Sequence, residues 1–213
     1  MKKIALIGST GSIGRQVVNV ALRYPERFQI VAMAANSNAP LFSEQIARLR
    51  PAFAVLRQES AARALPPAPQ GTRLAAGEEA FEEACAFADA DIVFVAVSGF
   101  AGLKASLLAL GAGRDIALAN KESLVVGGDL VLRKAEEKGA KILPVDSEHS
   151  AIWQCLHFDC AARYRRILLT ASGGALRDVP LQKLEKMTAK EALAHPNWDM
   201  GAKITVDCAT MLN

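Results

Sequence analysis

The chain has 213 residues, of which 51% are hydrophobic and 22% charged, a composition that excludes a disordered polypeptide and provides for one large domain or for one domain and part of a second. A net charge of +3, spread without long basic runs, excludes a nucleic-acid-binding surface but is compatible with a small anionic substrate. Four cysteines without zinc-binding spacing, and no credible signal peptide or membrane span, predict a cytoplasmic protein that does not bind membranes.

Short apolar runs alternate with helix-compatible segments as far as residue 145. The first run, at residues 3–7, ends in a glycine-rich turn, and apolar residues then recur at helical spacing, at Ile13, Val17, Val20 and Ala21. Further β-type runs lie at residues 28–35, 53–56, 91–97, 115–119 and 141–145. This alternation predicts an α/β fold, a doubly wound (Rossmann-like) parallel sheet with helices on both faces.

The pattern changes after residue 145, where we place a domain boundary. Residues 1–145 are predicted to form a nucleotide-binding domain, and residues 146–213 part of an α+β catalytic domain. The proline-rich residues 65–71 predict a surface loop. The elements expected after the boundary are a helix through Trp153, a strand at residues 165–171, a short helix starting at the capping-box pair Thr188 and Glu191, and, within residues 195–213, a strand, a polar turn and the start of a helix.

The glycine turn "GSTGSIG" at residues 8–14 follows the first strand and opens the first helix. Gly8 permits the tight turn, Gly11 lets the backbone approach a pyrophosphate, and Gly14 allows close helix packing. The helix N-terminus adds oriented N–H donors. The alternative is a plain turn, but the strand–turn–helix context favours a dinucleotide site.

The residues after the second strand bear on which dinucleotide is bound. An NAD-specific site usually has an acidic residue there, whereas this chain has Asn36, Ser37 and Asn38. Neutral donors suit a 2′-phosphate, so NADP(H) is favoured, although no arginine is adjacent. An ordinary polar strand-to-helix turn is the alternative.

Two polar clusters follow later strands. Lys121, in "NKE", could hold a phosphate, a ribose or a catalytic carboxylate, or could simply begin a helix. Asp146 and Glu148 can both face one hard cation, Mg²⁺ or Mn²⁺, and Ser147 between them offers a hydroxyl. The alternative is an N-cap followed by acidic first-turn residues, and His149 is more simply structural.

Two further segments have the composition of a ligand site. "TASGG" at residues 170–174 is a candidate phosphate cradle of backbone N–H groups, or else a turn. "HPNWDMG" at residues 195–201 has the composition of a lid, although Trp198 and Met200 could instead be core residues.

In their order along the whole chain, these motifs resemble the 1-deoxy-D-xylulose 5-phosphate reductoisomerase family: "GSTGSIG", "NKES", "DSEHSAIWQCL", "TASGG", "HPNWDMGAKITVD" and "ATMLN". The resemblance implies a metal-assisted rearrangement of the sugar phosphate, followed by hydride transfer from NADPH to give 2-C-methyl-D-erythritol 4-phosphate. It also implies a homodimer, although much of the domain through which the family's subunits pair is not in these residues.

The resemblance further implies roles for individual residues. The catalytic residues would be Lys121, Glu148 and His195, and the metal ligands Asp146 and Glu148, with Lys121 also holding Asp146. Substrate and its phosphate would contact Ser147, Glu148, Ser172, His195, Cys208 and Asn213. NADPH would contact Gly8, Thr10, Gly11, Ser12, Ile13, Gly14, Asn36, Ser37, Asn38, Asn120, Glu122 and Gly201. Trp198 and Met200 would belong to the lid.

The chain departs from the family pattern in two respects. Cys208 stands where the family usually has a phosphate-binding serine, and a thiol is a poor donor, so we expect weaker phosphate binding that Cys208→Ser would reverse. In the family, a lysine follows the final Asn213, and a glutamate one helical turn after Asn213 completes the metal site. We therefore expect a fragment with an intact cofactor domain and very low or no turnover.

Two other functions compete with this one. A different NADP-dependent sugar or semialdehyde dehydrogenase would share the first domain but would not need "DSEH" followed by "HPNWDMG". A nucleotide-binding module without catalysis would bind the cofactor and show no turnover.

Overall fold

The structure, a computed structural model, describes residues 1–157, 164–168, 170 and 173–210. The chain divides into two compact units, residues 1–160 and residues 161–213. The functional boundary predicted near residue 145 lies inside the first unit, because the helix at Ser147–His157 packs against the strand that precedes it. That boundary stays a prediction about function.

The first unit contains a seven-stranded parallel sheet in the order β4-β3-β2-β1-β5-β6-β7. The strands are β1 (Lys2–Ile7), β2 (Phe28–Ala35), β3 (Phe53–Leu56), β4 (Arg73–Ala76), β5 (Ile92–Val95), β6 (Asp115–Leu118) and β7 (Ile142–Pro144). The predicted doubly wound sheet is confirmed, as are six of its strands. The strand β4 was not predicted, because its sequence RLAA is short and lacks β-branched and aromatic residues.

Helices connect the strands and cover both faces of the sheet. They are α1 (Ser12–Arg23), α2 (Ala39–Leu49), α3 (Glu59–Ala62), α4 (Glu78–Cys85), α5 (Ala101–Gly111), α6 (Glu122–Lys138) and α7 (Ser147–His157). In α1 the buried residues are Gly14, Val18 and Ala21, so the predicted apolar face was wrong at Val20, which is half exposed. Residues 65–71 form the expected loop.

The core has two apolar layers, one on each face of the sheet. In β1, Ala5 and Ile7 belong to one layer, while Ile4 and Leu6 belong to the other, as the alternation of side chains along a strand requires. Burial of the inner strands on both faces helps to fix their register, and because all the strands run parallel, their carboxyl ends lie at one edge of the sheet.

The described part of the second unit contains α8 (Leu181–Leu184), α9 (Ala189–Ala192) and α10 (Ala202–Ala209). The capping box of Thr188 and Glu191 is present, which confirms the short helix before Pro196. The strand predicted at residues 165–171 was wrong at its described residues, which are exposed and unpaired with any described strand.

The prediction for residues 195–213 also needs correction. No described residue there is in a strand, and α10 begins at Ala202, so the β-branched run ITV is helical. Burial decides the conformation, because Thr205, Cys208 and Ala209 lie on one helical face and are buried. Asn213 lies outside the described residues. Within the described parts of both units, no helix is long and apolar enough to cross a membrane.

Candidate active site

The glycine turn between β1 and α1 is held by backbone contacts that two of its glycines make possible. Gly8 has a positive φ of 96°, and a Cβ on it would lie 2.7 Å from the carbonyl carbon of Ala96, at the end of β5. A Cβ on Gly14 would collide with the carbonyl oxygen of Gly8. Both findings agree with the structural roles predicted for Gly8 and Gly14.

The first turn of α1 has donors available for an anion. Gly11 is the N-cap of α1, and no side chain caps the helix. The backbone N–H groups of the first turn, from Ser12 and Ile13 onward, therefore point out of the helix end without a side-chain acceptor. Such an N-terminus binds phosphate readily.

A cleft of about 340 Å³ lies at this end of the sheet, where β1 stands between β2 and β5. This is the point at which strand order reverses in a doubly wound sheet, the usual place for a nucleotide. The structure brings together here four of the residues predicted to bind cofactor: Gly8, Thr10, Gly11 and Asn36. The rest of the lining is Ala35, Arg57, Phe81, Ala96, Val97, Ser98 and Ala101.

Sequence reasoning missed several residues around this cleft. Arg57 follows β3 directly, and its backbone N–H donates to Ala35 O at 2.9 Å, which places it beside Asn36. Gln45, buried in α2, donates to the backbone oxygen of Ser9 at 2.9 Å and so supports the glycine turn from behind. Neither could be found from local pattern, because both are distant in sequence from the residues they contact.

Two predicted cofactor residues have structural roles as well. The Asn38 Oδ1 accepts from the N–H of Leu41 at 3.3 Å and caps α2. Ser37, next to Asn38, is exposed. Asn120 is only 1% exposed; its Nδ2 donates to Gly99 O and to Glu122 Oε2, both at 3.0 Å, and its Oδ1 accepts from the N–H of Ser123 at 2.9 Å.

Lys121, Asp146 and Glu148 come together at the carboxyl ends of β6 and β7, as the family resemblance implied. The Lys121 ammonium lies 3.4 Å from Asp146 Oδ2 and 3.9 Å from Glu148 Oε2. Ser147 donates its hydroxyl to Glu148 Oε2 at 2.8 Å, and His149 Nδ1 lies 3.4 Å from Asp146 Oδ1. We call these five residues the acidic cluster.

The pKa values of the two carboxyls in the acidic cluster are shifted in opposite directions. Burial raises the pKa of Asp146, and its hydrogen bond with Glu148 adds to this, while the nearby Lys121 charge opposes it. Burial also acts to raise the pKa of Glu148, but hydrogen bonds, led by that from Ser147, outweigh it, so the pKa is lowered. A carboxylate pair with one member destabilised as an anion is poised to accept a positive ligand.

One oxygen of Asp146 is the strongest indication of a cation site in the acidic cluster. Its Oδ1 is buried and makes no hydrogen bond to the described residues, although His149 Nδ1 lies 3.4 Å away. A buried carboxylate oxygen without a donor is costly, and a divalent cation would satisfy it. Asp146 and Glu148 therefore fit two ligand positions for Mg²⁺ or Mn²⁺. The described residues hold no group of three or more potential metal ligands.

The remaining predicted residues lie in the second unit. The His195 and Trp198 rings stack with centroids 5.4 Å apart, and His195 Nδ1 accepts from the N–H groups of Asn197 and Trp198 at 3.1 and 3.0 Å. Trp198 is 61% exposed, so it is not a core residue of the second unit, while Met200 is half buried. These contacts order a loop with an exposed aromatic, which is compatible with the predicted lid.

The other residues of this group have separate outcomes. Gly201 is the N-cap of α10. Cys208 is buried in α10, with 7% of its surface exposed. Its effect on phosphate binding stays a prediction. A Cβ on Gly174, which has a φ of 63°, would lie 2.5 Å from the backbone of Cys208 and Ala209, so this glycine permits close packing of α10. Ser172, like Asn213, lies outside the described residues.

Family comparisons agree with this arrangement. A family model for 1-deoxy-D-xylulose 5-phosphate reductoisomerase matches residues 4–128, and one for the C-terminal domain of the same enzyme matches residues 142–213. The chain belongs to this reductoisomerase family. It is 49% identical to the reductoisomerases of Acaryochloris marina and Gloeobacter violaceus, in each case over all of this chain. It spans about half the length of these relatives, 54% and 55%.

Solved reductoisomerase structures share the fold over the whole chain. A reductoisomerase in complex with NADPH, fosmidomycin and magnesium matches with a TM-score of 0.89 and 36% identity. The reductoisomerase of Zymomonas mobilis in complex with NADPH matches with a TM-score of 0.85 and 39% identity. This chain covers 55% of each of those chains.

Proposed function

We propose that this chain is the cofactor-binding and metal-binding part of an NADPH-dependent and divalent-metal-dependent enzyme that converts 1-deoxy-D-xylulose 5-phosphate to 2-C-methyl-D-erythritol 4-phosphate. The observation that carries the proposal is the buried Asp146 Oδ1, which makes no hydrogen bond to the described residues, beside Glu148 and Lys121 at the same sheet edge as the cleft. The NADPH and magnesium complexes of related reductoisomerases support it.

The residues of the chain divide the work between the two ligands. The α1 N-terminus would bind the pyrophosphate, and Asn36 would lie beside the adenosine ribose. Asp146 and Glu148 would hold Mg²⁺ or Mn²⁺. When bound, NADPH supplies the hydride, and the divalent cation polarises the carbonyl and hydroxyl oxygens of the sugar phosphate.

Lys121 and Ser147 would act on orientation and charge. The Lys121 ammonium lies within 4 Å of both carboxylates, so its charge acts to lower the pKa of each, against the effect of burial, and it would place a positive charge beside the substrate. Ser147 donates its hydroxyl to Glu148 Oε2 at 2.8 Å and so orients the carboxylate that would hold the cation or accept a substrate proton. Placing His195, Trp198 and Met200 over the substrate belongs to the same proposal.

The chain by itself suits nucleotide binding better than turnover. Its described residues bring two carboxylates to the metal position, whereas a catalytic cation usually needs more protein or substrate ligands. We propose that the 213-residue chain binds NADPH and has very low or no turnover, which makes a nucleotide-binding module the second candidate for the chain alone. A cytoplasmic location and a homodimer of the whole enzyme complete the proposal.

A chimera tests the activity. The chain would replace the matching 220 residues of the Acaryochloris marina reductoisomerase, and NADPH oxidation would be followed with the sugar phosphate and Mn²⁺. We expect oxidation only when both are present, and its loss in Asp146→Asn. Asp129→Asn, which changes an exposed acid on α6, is the matched control and should remain active. A chimera that binds NADPH but shows no turnover dependent on the sugar phosphate would refute the proposal.

A further inference from the structure

The end of β2 lacks the charged residue that usually decides between the two dinucleotides. Asn36, Ser37 and Asn38 are neutral, and Asn38 uses its side-chain oxygen to cap α2. A 2′-phosphate carries close to two negative charges at neutral pH and normally requires a cationic partner. The sheet topology supplies a candidate from the neighbouring strand.

Arg57 lies at the position where a 2′-phosphate would be recognised. In the pairing of β2 with β3, Ala35 lies opposite Leu56, so Arg57 follows directly beside Asn36. Two backbone hydrogen bonds, Arg57 N–H to Ala35 O and Gln58 N–H to Asn36 O, both 2.9 Å, fix this alignment. Both Asn36 and Arg57 line the cleft that begins at the glycine turn.

The guanidinium of Arg57 is already held in place. Its Nε and Nη2 donate to Glu78 at 2.5 and 3.0 Å, and its carbon lies 4.8 Å from the centre of the Phe81 ring. Nη1 has no hydrogen-bond partner among the described residues, so its two N–H groups remain for a ligand. A preorganised guanidinium loses little side-chain entropy when it binds an oxyanion.

Arg57 belongs to a small network of charged side chains beside the cleft. Lys104, on α5, pairs with Glu78 and Glu82, both at 2.6 Å, so two cations and two carboxylates form one network. Among these four side chains only Arg57 lines the described cleft. An anion entering beside Asn36 therefore meets Arg57 before it meets Glu78.

We propose that Arg57 determines the preference of this chain for NADPH over NADH by binding the 2′-phosphate of the adenosine ribose. The inference rests on the proposed function, since it requires a nicotinamide dinucleotide in the cleft. It adds a residue that is 21 positions from Asn36 in sequence and reaches the site only through the pairing of β2 with β3.

The test compares four ligands on the 213-residue chain and on two variants. NADPH, NADH, 2′,5′-ADP and 5′-AMP would each be titrated by calorimetry. Arg57→Met keeps an apolar stem over Phe81 and removes the charge. The matched control is Arg73→Met, because Arg73 also lies over a phenylalanine, Phe53, and also pairs with a glutamate, Glu83, but does not line the cleft.

We expect Arg57→Met to weaken binding of NADPH and 2′,5′-ADP by about 10- to 100-fold and to leave NADH and 5′-AMP within about twofold. Arg57→Lys should restore part of the preference, because it returns the charge without the planar fork. Arg73→Met should leave all four affinities unchanged. Thermal unfolding of both methionine variants would show whether they lose comparable stability.

Several outcomes would overturn the inference, and they are distinguishable. If the wild-type chain prefers NADPH and Arg57→Met keeps that preference, the inference fails while the proposed function stands. If Arg57→Met weakens all four ligands equally, Arg57 acts on the shared adenosine or on folding, and the inference also fails. If the wild-type chain binds neither dinucleotide, the inference and the proposed function fail together.

Discussion

The glycine turn at residues 8–14 depends on two backbone approaches that no other residue permits. Gly8 combines a positive φ with contact to the backbone of Ala96, and Gly14 lies against the carbonyl oxygen of Gly8. Gly11 has more room, because a Cβ added there would lie 3.4 Å from its nearest neighbour, the carbonyl oxygen of Gly8. At Gly11, the absent side chain thus leaves room for a ligand more than for protein packing.

Replacing Gly14 therefore should damage both stability and binding. We expect Gly14→Ala to destabilise the first unit by about 2 kcal/mol, because the new methyl group must displace the turn backbone, and to weaken NADPH binding as the turn moves. Urea unfolding and NADPH titration measure the two effects. Gly128→Ala, in α6, is the control, because a Cβ added there would have no atom within 4 Å. This substitution should stabilise the first unit by about 0.5 to 1 kcal/mol. Equal behaviour of the two variants would contradict this explanation.

The buried charge of Asp146 reduces the stability of the folded chain. Its native pKa is raised, chiefly by burial, so its charged form is disfavoured in the folded chain. A carboxyl of this kind favours folding when protonated, and stability falls as the pH rises from the unfolded value of about 3.9 through the native value. Above that window the full cost of the buried anion is present when no metal is bound.

Asp146→Asn should remove that cost. Without metal, the variant should be more stable than the wild-type chain at pH 7, and the difference should shrink as the pH falls towards about 4. Urea unfolding at several pH values gives the comparison, and Mn²⁺ should stabilise only the wild-type chain. A variant less stable than the wild-type chain at pH 7 would show that the charge of Asp146 helps the fold.

At the scale of elements, the start of α6 depends on one buried amide. The Asn120 side chain ties the N-terminus of α6, through the N–H of Ser123, to the carbonyl of Gly99 after β5. Ser98, next to Gly99, lines the cleft, and Lys121, next to Asn120, belongs to the acidic cluster. Asn120 thus connects the segments that carry the two candidate ligand sites, whether or not it contacts the cofactor itself.

Asn120→Ala should loosen this connection. It leaves the N–H of Ser123 without its acceptor and removes one of the two donors to the carbonyl of Gly99, which keeps the N–H of Gly102 at 3.2 Å; we expect a loss of about 1 to 3 kcal/mol in urea unfolding. Ser123→Ala, which removes only a hydroxyl that also donates to Asn120, should cost less. If the two substitutions cost the same, the amide does not hold the helix start in the way described.

The elements also show where sequence reasoning succeeds. The spacing of Asp146 and Glu148 predicted that both face one cation, and the family resemblance implied that Lys121 holds Asp146; the structure brings the three together. Arg57 could not be found in this way, since its place beside Asn36 follows from strand pairing that the local sequence does not specify. Residues 195–213 were expected to include a strand, whereas the β-branched run ITV lies in α10, where burial of Thr205 and Cys208 favours the helix.

At the scale of the whole molecule, the sheet accounts for the position of the site. Seven parallel strands, of which the inner ones are buried on both faces, bring the glycine turn, the end of β2 and the acidic cluster to the same edge. These features all belong to the first unit. Nucleotide binding and metal binding are therefore the parts of the proposed function that the first unit would carry.

The most direct test is calorimetric titration of the chain with NADPH and with NADH, each with and without Mn²⁺. We predict that NADPH binds at least about tenfold more tightly than NADH. We also predict that Mn²⁺ changes nucleotide affinity little, because the acidic cluster supplies the metal with only two carboxylates among the described residues and so binds it weakly. Failure of both nucleotides to bind, or equal affinity for the two, would contradict a cleft built for NADPH at the glycine turn.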